Sequence, residues 1–104
     1  MQQVNGISSA LEQLVERGLS MGQISKLVGC SMVTLYRARK GRAILEVYQD
    51  RLSCVERFSD KSEEGSIPVL IKISSEYSEA AIWERGLYVI AAKLQEESID
   101  ESVT

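Results

Sequence analysis

Between Gly18 and Arg42 the chain reads GLSMGQISKLVGCSMVTLYRARKGR, and this run limits the fold more than any other. Ser20 and Gln23 have the spacing at which a hydroxyl and a side-chain amide satisfy the free N–H groups opening a helix. Ile24, Leu27 and Val28 then recur on one helical face, and Gly29 suits the left-handed residue that stops it. Ser31 caps a further helix over 32 to 40, with Leu35 and Ala38 inward and Gly41 as the stop. Helices only about two turns long have little stability of their own and depend on packing against neighbours.

The flanks offer such neighbours. Ile7, Leu11, Leu14 and Val15 repeat at helical spacing, Ser9 with Glu12 forms a second capping pair, and Gly18 stands past the end, which predicts a helix over 7 to 17. A fourth helix is predicted from Leu45, Tyr48, Leu52 and Val55, its apolar stripe widened by Ile44, Val47 and Phe58. SDKSEEGS, 59 to 66, reads as a linker, since little there can be buried cheaply. IPVLIKI, 67 to 73, is β-branched with Pro68 near its start, and predicts a strand. From Ser78 onward Ala80, Trp83, Leu87, Ile90 and Leu94 predict one helix, weakened at Gly86, and SIDESVT an acidic frayed tail. The expected fold is mainly α: a four-helix domain over 1–58, a linker over 59–66, and a strand and C-terminal helix over 67–104. ERGL occurs at 16 to 19 and again at 84 to 87, but the flanking residues keep no register, so it is not read as a repeat.

The 104 residues amount to one ordinary domain, or a small one with an oligomerising appendage. The sequence has no histidine, so the usual Ser-His, Cys-His and His-metal constellations are excluded and no enzyme is expected. Carboxylate pairs such as Glu63–Glu64 and Glu96–Glu97 lie in polar runs and read as solvated. Cys30 and Cys54, without a CxxC, signal neither zinc nor a disulfide and are expected as free buried thiols. No segment reaches the roughly 20 apolar residues of a membrane span, and MQQVNGISSA is unlike a secretory signal. A cytoplasmic protein without metal, cofactor, small-molecule ligand or membrane contact is the expectation.

Helix, corner at Gly29-Cys30-Ser31, helix: over about residues 7 to 58 this resembles the helix-turn-helix of phage-repressor and Cro-type regulators, and resolvase-type DNA-binding domains are also similar. The resemblance rests on GLS, on Ser25 where helices cross, on Gly29, Cys30 and Ser31 at the corner, on Leu35 as anchor and on YRARKGR. Met21 and Ser25 depart from the family's frequent Gln and Ala, and Met32 and Val33 are apolar where polar base readers are common. The resemblance implies double-stranded DNA as partner, with the third helix in the major groove. Carried over, Met32, Val33, Tyr36 and Arg37 would face bases, with Arg37 suited to guanine and Met32 or Val33 to a thymine methyl. Tyr36 could instead belong to the core, and Met32 could be merely exposed. Ser20, Gln23, Thr34, Arg39, Lys40 and Arg42 would meet phosphates.

Charge placement agrees. The net charge is −3, yet residues 17 to 42 hold Arg17, Lys26, Arg37, Arg39, Lys40 and Arg42 and no acid, while residues 76 to 104 hold seven acids and two bases. A lone strand and a helix bearing Trp83, Leu87, Ile90 and Leu94 would leave much unsatisfied in a monomer. Val69, Ile71, Ile73, Trp83, Leu87, Ile90 and Leu94 are therefore the expected seam of a homodimer, with folding back on the N-terminal domain as the alternative. The expected function is a dimeric, promoter-occluding repressor of phage or plasmid type. Its alternatives are an architectural or recruiting DNA-binding subunit in recombination, replication or packaging, and a protein-interaction adaptor.

Overall fold

The computed structural model describes the backbone of residues 2–61 and 66–103, and side chains over 6–60 and 66–96. Seven helices are found among the described residues: α1 (Gln2–Arg17), α2 (Met21–Val28), α3 (Met32–Arg39), α4 (Glu46–Lys61), α5 (Ser66–Glu76), α6 (Glu79–Arg85) and α7 (Leu87–Val103). The described residues contain no strand, which corrects the expected strand–helix C-terminal third.

The segment IPVLIKI lies within helix α5. Its β-branched residues suggested an extended segment, but Ser66, Leu70, Ile73 and Ser74 fall on one helical face and are all buried. Pro68 is only the third residue of α5, where its missing N–H would have had no intrahelical partner. Packing against a neighbouring apolar surface outweighs a weak intrinsic preference for strand. The single C-terminal helix expected from Ser78 onward is likewise two. Gly86, at φ 104° and ψ 128°, takes a backbone conformation that only glycine adopts readily, and it separates α6 from α7. The backbone of α7 runs helical to Val103, through most of the segment read as a frayed tail.

Local signals account for several boundaries. Ser20 accepts from the Gln23 N–H at 3.1 Å while the Gln23 side-chain oxygen accepts from the Ser20 N–H at 2.9 Å, closing the reciprocal cap of α2. Ser31 accepts from the Thr34 N–H at 3.1 Å and caps α3. Ser9, read as a helix start, lies inside α1; its neighbour Ser8 donates to the Arg39 carbonyl at 2.7 Å and ties α1 to the end of α3. Helix α4 begins only at Glu46, and Leu45 and Val47, expected inward, are 66% and 46% exposed. The expected linker is partly helix: α4 continues to Lys61, Ser59 and Ser66 are buried, and 62 to 65 lie outside the described residues.

All of this builds one core. Leu11 and Leu14 of α1, Ile24 and Leu27 of α2, Leu35 of α3, Leu52 of α4, Leu70 and Ile73 of α5 and Ile82 of α6 have no solvent exposure and belong to one cluster. Each such side chain contributes roughly 1.5–3 kcal/mol relative to an exposed one. Helix α1 packs on α3 and α4, α2 touches α3, α4, α5 and α6, and α5 also packs on α7. The C-terminal third thus folds back on the N-terminal helices.

Candidate nucleic-acid interface

The face of α3 opposite its anchors is open. Leu35 and Ala38 are buried, while Met32, Val33 and Tyr36 are 43%, 59% and 46% exposed. Arg37 and Lys40 are exposed as well, and at 100° per residue these five positions share one side of the helix. Tyr36 is on this surface rather than in the core. Thr34 is half-buried, its hydroxyl 3.0 Å from that of Ser31, so it serves the N-terminal cap of α3.

The corner joining α2 to α3 is held from three directions. Gly29 has φ 90° and its N–H donates to the Ser25 carbonyl at 2.7 Å. The last carbonyls of α2, which a helix end leaves without intrahelical donors, are taken up by the C-terminal third and α4. The Trp83 indole N–H donates to the Leu27 carbonyl at 2.7 Å, and Arg51 donates to that of Val28 at 3.0 Å. Arg51 also pairs with the Glu79 carboxylate at 2.5 Å and lies 5.5 Å from the centre of the Trp83 ring. Cys30 is buried beside this corner, and its thiol is pushed up by desolvation; Cys54 is half-buried and is pushed up for the same reason.

The basic cluster divides by partner. Arg17 is spent on structure: it bonds Ser59 and Gln13 and lies 3.3 Å from Glu56 and 3.4 Å from Asp60, joining α1 to α4. Arg39 lies 3.7 Å from Glu12 in a loose surface pair. Lys26, Arg37, Lys40 and Arg42 are exposed and make no ion pair among the described residues. Arg37 and Lys40 thus stand on the open face of α3 and Arg42 just after it, while Lys26 stands on α2 toward α5. Arg37 also borders, with Thr34, Ile44, Leu45 and Tyr48, a shallow groove between α3 and the start of α4.

Ser20 and Gln23, expected at phosphates, are engaged with each other in the α2 cap, which leaves the serine hydroxyl proton and the glutamine NH2 free to donate outward. The residues expected in a two-chain seam are placed differently. Ile73, Leu87, Ile90 and Leu94 are buried within the single chain, and Val69, Ile71 and Trp83 are half-buried against the same core. Sequence reasoning took Leu45 and Val47 for core, although both are exposed and Leu45 lines the Arg37 groove. It also gave no role to Gly22, whose α-carbon faces the Met32 sulfur: a β-carbon there would lie 4.0 Å from it.

Among the described residues no three His, Cys, Asp or Glu side chains converge as a metal site, and no helix is long and apolar enough to cross a membrane. Comparison of the chain with protein-family models, with curated proteins and with solved structures finds no match.

Proposed function

We propose that the chain binds double-stranded DNA with sequence preference and acts as a transcriptional regulator, repressing by occluding a promoter. The observation that carries this reading is the open face of α3: Met32, Val33, Tyr36 and Arg37 project together from a helix whose opposite side is locked in the core. Exposing three large apolar or aromatic side chains beside uncompensated cations is unfavourable for an idle surface and suits a duplex. In this reading α3 enters the major groove and α2 lies across the backbone. The Arg37 fork bonds guanine O6 and N7, and Met32 or Val33 packs on a thymine methyl. Ser20, Gln23, Arg39, Lys40 and Arg42 hold phosphates, and Thr34 supports the helix start that faces them. Occlusion requires nothing beyond binding, so the reading asks for no ligand or second activity.

Pairing of two copies on a two-fold operator belongs to the proposal, but the former seam supplies no support for it, because those side chains already cover one another within the chain.

The test is selection of bound fragments from random duplex DNA, followed by titration of variants on the selected site. Arg37→Ala should cost roughly 1–3 kcal/mol and relax preference at one base pair per half-site. Lys40→Ala should weaken all sequences alike and flatten the salt dependence. A two-fold symmetric selected site reports two copies per operator, and an asymmetric one reports a single copy. Absence of any enriched sequence, with equal losses from both variants, would remove the sequence-reading role of α3 and favour an adaptor.

A further inference from the structure

We infer that α5 is a second DNA-contacting element: the sugar–phosphate backbone flanking the base-reading site runs along the groove between α2 and α5, held by Lys26 and Lys72. The inference rests on the DNA-binding reading above and extends it to residues outside the α2–α3 pair.

The groove starts where the open face of α3 ends. Its α2 wall carries Ser20, Gly22, Gln23 and Lys26, and its α5 wall Ile71, Ser74 and Ser75. Gly22, beside Met32, joins the two surfaces without a side chain to obstruct a passing strand. Ser20, Gln23 and Lys26 stand three residues apart and so form a row along α2. Each offers an outward donor: the serine O–H, the glutamine NH2 left over from the cap, and the ammonium of Lys26. The opposite wall is low. Ser74 and Ser75 donate their hydroxyls to the carbonyls of Ile71 and Lys72 at 2.7 and 2.9 Å, so that wall is short and its donors are used within α5. Lys72 is exposed on the flank of α5, three residues before Ser75, and makes no ion pair among the described residues.

The acids fix the direction of the path. No carboxylate lines the groove holding Ser20, Gln23 and Lys26. The adjoining groove, which shares Lys26 and Ser74, is closed by Glu79, and Glu76 stands at the end of α5, one turn after Lys72. Phosphates are thus drawn along the Gln23, Lys26 and Lys72 side and repelled from the α6 end. An acidic peptide would meet the same cations, but continuity with the α3 face favours one duplex covering both.

The test compares wild type, Lys40→Ala, the double variant Lys26→Ala with Lys72→Ala, and Ser75→Glu. Binding is read by fluorescence anisotropy across a salt series, on the selected duplex with its flanks and on the same duplex trimmed to the base-reading core. These side chains are exposed, and thermal unfolding checks that each variant keeps the wild-type fold. The lysine pair should lower the slope of log affinity against log salt by about 2, at roughly 0.9 per phosphate contact, with base preference unchanged. On the trimmed duplex it should match wild type. Ser75→Glu should weaken the flanked duplex most strongly at low salt. If Lys40→Ala flattens the salt dependence while the lysine pair and Ser75→Glu bind the flanked duplex as wild type does, the inference fails and the base-reading proposal stands. If wild type binds no duplex at low salt, both fall.

Discussion

Replacing Gly29 by alanine tests how the C-terminal third holds the corner between α2 and α3. A β-carbon built there would lie 2.3 Å from Cγ and 2.8 Å from Oε1 of Glu79, far inside van der Waals contact, on a backbone at φ 90°. The conformation alone costs an alanine about 1–2 kcal/mol. The clash adds to this, because Glu79 can yield only by moving away from Arg51, whose guanidinium it holds at 2.5 Å. That pair is partly exposed, so its loss contributes no more than about 1–2 kcal/mol after solvent screening. Gly29→Ala should therefore destabilise by roughly 2–4 kcal/mol. In a Glu79→Ala background the clash disappears and only the conformational cost of about 1–2 kcal/mol remains. Urea unfolding of the four proteins closes a double-mutant cycle with a coupling on the order of 1–2 kcal/mol, in the sense that Glu79→Ala relieves Gly29→Ala. A cost for Gly29→Ala that is the same in both backgrounds would refute the reasoning, since Glu79 would then not rest on the corner.

Three further outcomes are expected. Trp83→Phe keeps most of the packing but removes the N–H that caps the Leu27 carbonyl, and should lose about 1–3 kcal/mol in urea unfolding. Leu87→Asp places a carboxylate at a position 2% exposed within one chain, so it should unfold the protein, as seen by circular dichroism, rather than convert a folded dimer to folded monomers in sedimentation. The thiols of Cys30 and Cys54 are raised by burial, so their thiolate fraction at neutral pH is lower than that of an ordinary cysteine. Alkylation should be slower than for a free thiol near neutrality, with its rate rising only above the usual cysteine range; ready modification of Cys30 at pH 7 would contradict its burial.

Legibility followed the range of the interactions involved. The caps at Ser20 and Ser31 and the stop at Gly29 are decided within a few residues, so pattern alone locates α2 and α3. The open face of α3 was readable for the same reason, because Leu35 and Ala38 fix which side is buried. Helix α5 was not readable, since its β-branched run becomes helical only against the surface that α2, α4 and α7 present to it. Nor could the charge count separate Arg17, which is tied to α4 through Glu56 and Ser59, from cations such as Lys40 that make no ion pair among the described residues. Those distinctions depend on residues about forty positions apart, a separation that local spacing does not encode.

The helical state of IPVLIKI also bears on how the chain survives its own synthesis and heating. While α5 is docked, Leu70 and Ile73 are sealed and the backbone bonds to itself. Once undocked, the segment is a short, mostly apolar run rich in strand-forming residues, close to the composition from which cross-β assemblies nucleate. The folded helix therefore shields an aggregation hazard, and Pro68 and Lys72, which cannot or do not readily join a growing sheet, act as its built-in brakes. Loosening of the α5 contacts, short of complete unfolding, is enough to expose that run.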